Sequence, residues 1–198
     1  MPVLRTSAIG RRAARAVGVA LVAALGLALE LAGPPATHAN DAAQPDIKAA
    51  MVFNIARFTQ WPAAALGPTE QPFTLCVLGR DEVTVALQAL EDKPLHGRPI
   101  RVTPLVREGA LGDCRMLFVS RSEAFRLNQI VSLLAASNRP VLSIADVPGF
   151  ALKSGMVNLV KVDEKMRFEI NQKEVEARGL TMSARLLQLA LIVRTRNE

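Results

Sequence analysis

The chain has 198 residues, and its 24 basic side chains outnumber its 18 acidic ones, which gives a formal net charge of +6. Half of the residues are apolar and 21% are charged, a composition that excludes a disordered chain. Half of the net charge belongs to the first 39 residues, so the charge does not predict nucleic acid as a partner. Two cysteines and two histidines are too few for most zinc sites and most nucleophile–base pairs.

The first 39 residues have the pattern of a secretory signal peptide. An arginine-rich start is followed by an apolar run at residues 16–29, and Thr37, His38 and Ala39 supply a site for signal peptidase. A transmembrane anchor is the alternative, but spanning a bilayer takes about 20 apolar residues, more than this run contains. We therefore expect cleavage near Ala39 and export of a domain over residues 40–198 that does not span a membrane.

Apolar periodicity predicts the order of helices and strands in the exported part. A helix is predicted from Ile47 to Trp61, ended by Pro62. Strands are predicted at residues 73–79, 98–105, 115–120, 140–145, 155–162 and 166–171, and helices at residues 83–90 and 124–136. Asp163 and Glu164 predict a hairpin between the last two strands. This alternation indicates a single α/β domain with a mixed central sheet and helices on both faces.

Cys76 lies in the predicted buried strand at residues 73–79, and Cys114 opens the segment 114–120, which also looks like a buried strand. In an oxidising compartment an even pair favours a disulfide, whereas two buried free thiols are the alternative. If the two strands pair in parallel, the cysteines are about three residues out of register, which argues against a bridge. The residues alone leave both interpretations open.

Polar side chains follow three predicted strands at their C-terminal ends. They are Asp81, Arg121, Ser122 and Asp146. If the strands are parallel neighbours, these residues lie at one edge of the sheet, where open α/β folds bind ligands. The simpler interpretation is that Asp81 and Ser120 cap helices and that Asp146 fixes a turn.

Motifs for catalysis are missing from the sequence. It has no dinucleotide fingerprint, Walker A loop, nucleophile elbow or zinc-protease motif. The one histidine after the predicted cleavage site, His96, lies in a predicted turn. We therefore predict neither an enzyme nor a bound metal or cofactor.

The last apolar run, residues 182–193, predicts a helix that is apolar around most of its circumference. Such a helix is either buried or in contact with another chain. Burial against the sheet is the simpler interpretation. The alternative is a protein interface whose candidate residues are Arg185, Leu186, Leu189 and Val193.

Several short segments, taken in order, carry a family resemblance. They are KAAMVFN at 48–54, FTLCVLG at 73–79, LFVS at 117–120, RPVL at 139–142, RFEIN at 167–171 and SARLL at 183–187. Together they resemble the YfiR family of periplasmic proteins over about residues 46–190, nearly the whole exported part.

The resemblance implies a non-catalytic periplasmic regulator. Such a protein binds the periplasmic sensor region of an inner-membrane diguanylate cyclase, represses cyclic di-GMP synthesis and thereby restrains surface-attached growth. It also implies that Cys76 and Cys114 form a bridge, although the second cysteine pair of the best-known members is absent here. The alternatives are a regulator of a membrane sensor kinase and a periplasmic small-ligand-binding module that uses Asp81, Ser122 and Asp146. A homodimer also stays open.

Overall fold

The computed structural model describes residues 44–105, 111–137 and 139–195. The predicted signal peptide and its cleavage site lie outside these residues. Within them the chain forms one mixed α/β domain, in which an eight-stranded sheet is accompanied by six α-helices and a separate two-stranded pair.

The helices and strands alternate along most of the chain. The helices are α1 (Gln44–Arg57), α2 (Ala63–Leu66), α3 (Glu82–Ala86), α4 (Leu127–Ser137), α5 (Gln172–Ala177) and α6 (Ala184–Leu189). The strands are β1 (Thr59–Gln60), β2 (Phe73–Leu78), β3 (Pro94–Leu95), β4 (Arg98–Leu105), β5 (Met116–Val119), β6 (Leu142–Ala145), β7 (Val157–Val162), β8 (Lys165–Ile170), β9 (Thr181–Met182) and β10 (Leu191–Ile192). Short 3-10 segments at Leu87–Leu90, Arg121–Arg126 and Ala151–Lys153 complete the regular structure.

The sheet has the strand order β10-β8-β7-β6-β5-β2-β4-β3 and is mixed, as predicted. Its centre is parallel, because β6, β5, β2 and β4 run in one direction. Strands β7 and β8 form the predicted antiparallel hairpin. Asp163 and Glu164 have φ angles of 47° and 59° in its two-residue loop, the left-handed conformation that a tight hairpin with right-handed strand twist requires.

Helices cover both faces of the sheet, which confirms the predicted fold class. Alternate residues of β2 divide between the two faces, since successive side chains of a strand point in opposite directions. Phe73, Leu75 and Val77 belong to the core that includes α1 and α3, whereas Cys76 and Leu78 belong to the core beneath α4. The apolar runs predicted as buried strands therefore supply both cores at once.

The first helix ends earlier than predicted. Helix α1 stops at Arg57, and the Oγ1 of Thr59 donates to the carbonyl of Ile55 at 2.8 Å where the helix ends. Residues of β1 then pair antiparallel with β9. The prediction that Pro62 ends this helix was wrong, because pairing with a distant segment takes the chain out of the helix before the proline is reached.

The predicted helix over residues 182–193 was also wrong. Helix α6 covers six residues, Ala190 is extended, and β10 pairs parallel with Glu169 and Ile170 of β8. The backbone N–H of Val193 continues this pairing by donating to the carbonyl of Ile170 at 2.9 Å. Apolar periodicity cannot separate helix from strand in a run that is apolar at most positions, and a β-branched residue such as Ile192 favours the sheet.

Cys76 and Cys114 form a disulfide with a Cα–Cα distance of 5.6 Å. The objection from strand register fails because Cys114 precedes β5 and is not part of it. Its N–H donates to the carbonyl of Leu111 at 3.3 Å, within a turn. The turn carries Cys114 towards Cys76, so the distance falls within the range that a disulfide requires.

Candidate functional site

The parallel centre of the sheet brings the turns after β2, β5 and β6 to one edge. Because β5 lies between β2 and β6, the residues Asp81, Arg121, Ser122 and Asp146 lie close together, joined by hydrogen bonds and ion pairs. We call this group, with Ser120 and Lys48, the polar edge. It stands where open α/β folds place their ligands.

Asp81 ties the turn after β2 to the turn after β5. Its Oδ1 accepts from the backbone N–H of Thr84 at 2.9 Å, and its own N–H donates to the Thr84 hydroxyl at 3.0 Å, which caps helix α3 as predicted. Its Oδ2 accepts from the Ser120 hydroxyl and from the Arg121 backbone N–H at 3.3 Å. One carboxylate therefore satisfies donors from two connections.

Two serine hydroxyls continue this network around Gly79. The hydroxyls of Ser120 and Ser122 are 2.9 Å apart, and Ser122 Oγ accepts from the Arg80 backbone N–H at 3.0 Å. Gly79 has a φ of +89°, and a Cβ there would lie 2.5 Å from Ser122 Oγ. Glycine is required at this position both for its backbone conformation and for its lack of a side chain.

The helix start after β5 has the cap predicted at Ser120 but lacks the second bond of a capping box, although Glu123 stands at the position that could form it. The hydroxyl of Ser120 accepts from the Ser122 N–H at 3.1 Å, as a cap does, but Glu123 forms an ion pair with Arg126 instead. The backbone N–H that a capping box would offer to Glu123 is that of Ser120, and it already donates to the carbonyl of Leu78 at 2.9 Å. Sheet pairing thus takes the donor away.

Asp146 is held by two cations from different parts of the chain. Its Oδ2 lies 2.6 Å from Lys48 Nζ, and its Oδ1 lies 3.0 Å from Arg121 Nη2. The Asp146 side chain is 4% exposed and that of Lys48 12%, whereas that of Arg121 is 62% exposed. The buried pair therefore joins helix α1 to the turn after β6, and Arg121 adds a solvent-screened contact.

Sequence reasoning missed Lys48 as a member of the polar edge. The available signal was helical spacing, because Lys48 precedes the fully buried Val52 and Ile55 by four and seven residues and so shares their face. A lysine on a buried helix face needs a carboxylate partner. Which carboxylate it meets depends on the tertiary fold.

The polar edge can fasten the turns without any ligand. Each oxygen of the Asp81 and Asp146 carboxylates accepts from a group of the chain itself. Within the residues that the structure covers, no cluster of three or more His, Cys, Asp or Glu could hold a metal ion. The satisfied carboxylates support the structural interpretation of the edge, and ligand binding there stays a prediction.

A second candidate surface is apolar rather than charged, and it lies on the side of the sheet that ends with β10. Leu189, Leu191 and Ile192 are 58%, 42% and 51% exposed, and we call them the apolar edge. Of the residues predicted for an interface helix, Arg185 and Leu189 are exposed, Val193 is half-buried and Leu186 is buried in the core. The exposure of Leu191 and Ile192 was not predicted, because the interface residues were chosen for a helix and this segment forms a strand.

A comparison with protein-family models matches residues 45–191 to the family described as YfiR/HmsC-like. The chain belongs to this family. No curated protein matches the chain. The YfiR/HmsC-like family is periplasmic, regulatory and non-catalytic, and at family level it supports a role in cyclic di-GMP signalling through contact with a periplasmic signalling protein.

The disulfide agrees with the family's compartment. Bridges such as Cys76–Cys114 persist in oxidising environments and are rare in the cytosol. Across the described ranges, the structure has no helix that is both long and apolar enough to cross a membrane.

Proposed function

We propose that this YfiR/HmsC-like protein binds the periplasmic sensor region of an inner-membrane diguanylate cyclase and represses its synthesis of cyclic di-GMP. The observation that carries the proposal is the apolar edge, an exposed apolar surface on a member of a family of periplasmic regulators. The polar edge, whose carboxylates are satisfied within the chain, offers less for a partner to bind.

The apolar edge has two properties that suit a protein partner. Leu189, Leu191 and Ile192 follow one another closely in the chain and are about half exposed, so a partner that covers them removes apolar area from water. They are flanked by the exposed Arg185 and Arg194, and arginine is enriched at protein interfaces.

The position of β10 suggests how the partner binds. Among the residues that the structure describes, strand β10 is the outermost strand on its side of the sheet and pairs with β8 alone. Edge strands accept an added strand from a partner, which supplies main-chain hydrogen bonds while side chains contribute specificity. We propose that an extended segment of the cyclase sensor region adds to β10 in this way.

The test measures cyclic di-GMP in cells that export the wild-type protein or a variant. Leu191→Asp places a charge within the apolar edge, and we expect it to abolish repression, because an unpaired charge at a covered interface is costly. Val85→Asp is the matched control, since Val85 is likewise exposed and apolar but lies on helix α3. It should repress as the wild type does.

Capture from membranes identifies the partner. We expect the wild-type protein to retain a diguanylate cyclase from solubilised inner membranes and Leu191→Asp to lose it. Unchanged cyclic di-GMP on deletion of the gene would contradict the proposal, as would capture of a sensor kinase in place of a cyclase. Equal repression by Leu191→Asp and Val85→Asp would leave the cyclase as partner but reject the apolar edge as the binding surface.

A further inference from the structure

Arg115 stands at the N-terminal edge of the sheet, just before β5 and far along the strands from the polar edge. Its backbone is fixed on both sides, because its N–H donates to the carbonyl of Thr74 at 3.0 Å and its carbonyl accepts from the N–H of Leu142 at 3.0 Å. The indole Nε1 of Trp61 donates to the same carbonyl at 3.1 Å. The side chain therefore projects from a rigid base.

The guanidinium of Arg115 is only partly satisfied by the protein. Its Nη1 donates to the carbonyl of Asp113 at 3.1 Å. Its Nε is buried and has no hydrogen-bond partner, and it is the one buried side-chain nitrogen or oxygen in this state among residues 44–105, 111–137 and 139–195. A buried donor without an acceptor is costly, so a native protein with such a group needs an explanation for it.

A cavity lies beside Arg115. Its volume is about 250 Å³, and it is lined by Gln71, Pro72, Thr74, Asp113 and Arg115. Since a water molecule takes up about 30 Å³ of liquid, the space is large enough for a molecule of roughly eight heavy atoms, which includes small carboxylic acids. Most of the lining side chains can form hydrogen bonds.

A second guanidinium adds to the positive charge beside the cavity. Arg98 is buried and donates to the carbonyls of Gly67, Pro68 and Gln71, at 2.9 Å for Gly67 and 3.1 Å for Gln71. A Cβ at Gly67 would lie 3.8 Å from Arg115 Nη2, so both guanidinium groups border the same loop. In the described part of the chain, neither arginine has a carboxylate within ion-pair distance. Asp113 beside the cavity and Glu70 in the loop balance part of this charge, so Arg98 and Arg115 are cations without a direct ion-pair partner rather than a site of strong positive potential.

We propose that Arg115 binds the carboxylate of a small monocarboxylic acid in this cavity. The Nε and Nη2 hydrogens of an arginine point the same way and match the two oxygens of one carboxylate, which gives two charge-assisted hydrogen bonds. Because Nε has almost no accessible surface, this binding requires the Arg115 side chain to turn its Nε edge towards the cavity, and it then supplies the acceptor that Nε lacks. Asp113 lines the same cavity and repels a second negative charge, so the site favours a monoanion over a dicarboxylate or a phosphate monoester.

The test observes the arginine Nε–H signals of the ¹⁵N-labelled exported chain, with its disulfide intact, by nuclear magnetic resonance. Sodium acetate is titrated against sodium chloride at matched ionic strength. We expect the Arg115 signal to shift and to saturate with acetate at a dissociation constant on the order of 1 mM, while chloride leaves it in place. Disodium malonate should bind more weakly than acetate.

Variants distinguish two-point binding by the guanidinium from simple attraction to a positive charge. Arg115→Lys keeps the charge but lacks the two parallel N–H groups of the guanidinium. Acetate should therefore bind about tenfold more weakly, as followed through the chemical shifts of neighbouring backbone amides. Arg57→Lys, at the exposed end of α1, is the matched control and should change nothing. Asp113→Asn should tighten acetate binding by about threefold, because it removes a nearby like charge.

The source of the carboxylate is settled by one further titration. N-acetylglycine represents the C-terminal carboxylate of a peptide, and tighter binding than acetate would identify a chain terminus as the occupant. Shifts that fail to saturate, that occur equally with chloride, or that persist unweakened in Arg115→Lys would overturn the proposal. If Arg115→Lys does not fold, the Asp113→Asn result decides, and an unchanged or weaker acetate affinity there rejects it.

Discussion

Replacing Asp146 by asparagine should destabilise the domain, because it removes the charge that compensates Lys48. The Asp146 side chain is 4% exposed and that of Lys48 12%, so the substitution leaves an ammonium group nearly buried without a counter-charge. Asparagine is the same size as aspartate, so packing is kept and the electrostatic effect is isolated.

The magnitude follows from the burial of the two partners. Removing one member of a buried ion pair costs about 3–5 kcal/mol, and the residual exposure of Lys48 reduces this to about 2–3 kcal/mol. For a domain of this size, that corresponds to a fall in Tm of about 4–12 °C. Arg121→Gln should cost less than about 1 kcal/mol, because the Arg121 side chain is 62% exposed and its contact is screened by solvent.

The assay is equilibrium urea unfolding at pH 7 with the disulfide intact. Trp61 is the one tryptophan of the chain and is buried, so its fluorescence reports unfolding. A double-mutant cycle with Lys48→Met should give a coupling of about 1.5–3 kcal/mol between Lys48 and Asp146. A free energy of unfolding for Asp146→Asn within about 0.5 kcal/mol of the wild type, or an equal loss in Arg121→Gln, would show that the buried Lys48 does not depend on Asp146.

Three further stability predictions follow from single features of the fold. Reduction of the Cys76–Cys114 bridge, which spans 38 residues, should cost about 4 kcal/mol; a melt that a reductant leaves unchanged would contradict this. Gly79→Ala should cost at least about 2 kcal/mol more than Gly97→Ala in urea unfolding, because both have positive φ but only Gly79 also meets side-chain atoms. Asn171→Ala should raise the rates of amide hydrogen exchange and lower the free energy of unfolding by about 2 kcal/mol, because loss of the fully buried side-chain amide leaves its partners, such as the carbonyl of Ala151, unpaired. Exchange rates equal to those of the wild type would count against this.

Local signals sufficed for the centre of the sheet. The strands β2, β5 and β6 are continuous apolar runs that end at turn residues, so their bounds could be predicted to within a residue or two. The cap at Asp81 and the hairpin at Asp163 and Glu164 were predictable for the same reason, since each depends on residues next to one another in the chain.

Features that depend on distant partners could not be predicted. Helix α1 ends where Thr59 meets β9, and α6 ends where Leu191 joins β8, although neither partner is near in sequence. The register objection to the disulfide arises because the sequence places Cys114 at the start of a strand, whereas it lies in the turn before β5. Lys48 was overlooked because its carboxylate, Asp146, lies 98 residues away.

We propose that the apolar edge holds a diguanylate cyclase inactive, and the reaction rate of the cyclase itself reports whether it does. The cyclase captured from membranes is solubilised in detergent, so that its periplasmic region is accessible to the protein and its catalytic region to GTP. The initial rate of cyclic di-GMP formation is then measured. We predict that the purified wild-type protein lowers this rate in a saturable way, that Val85→Asp does the same, and that Leu191→Asp has no effect. A rate that the wild-type protein leaves unchanged would show that the protein does not hold this cyclase inactive.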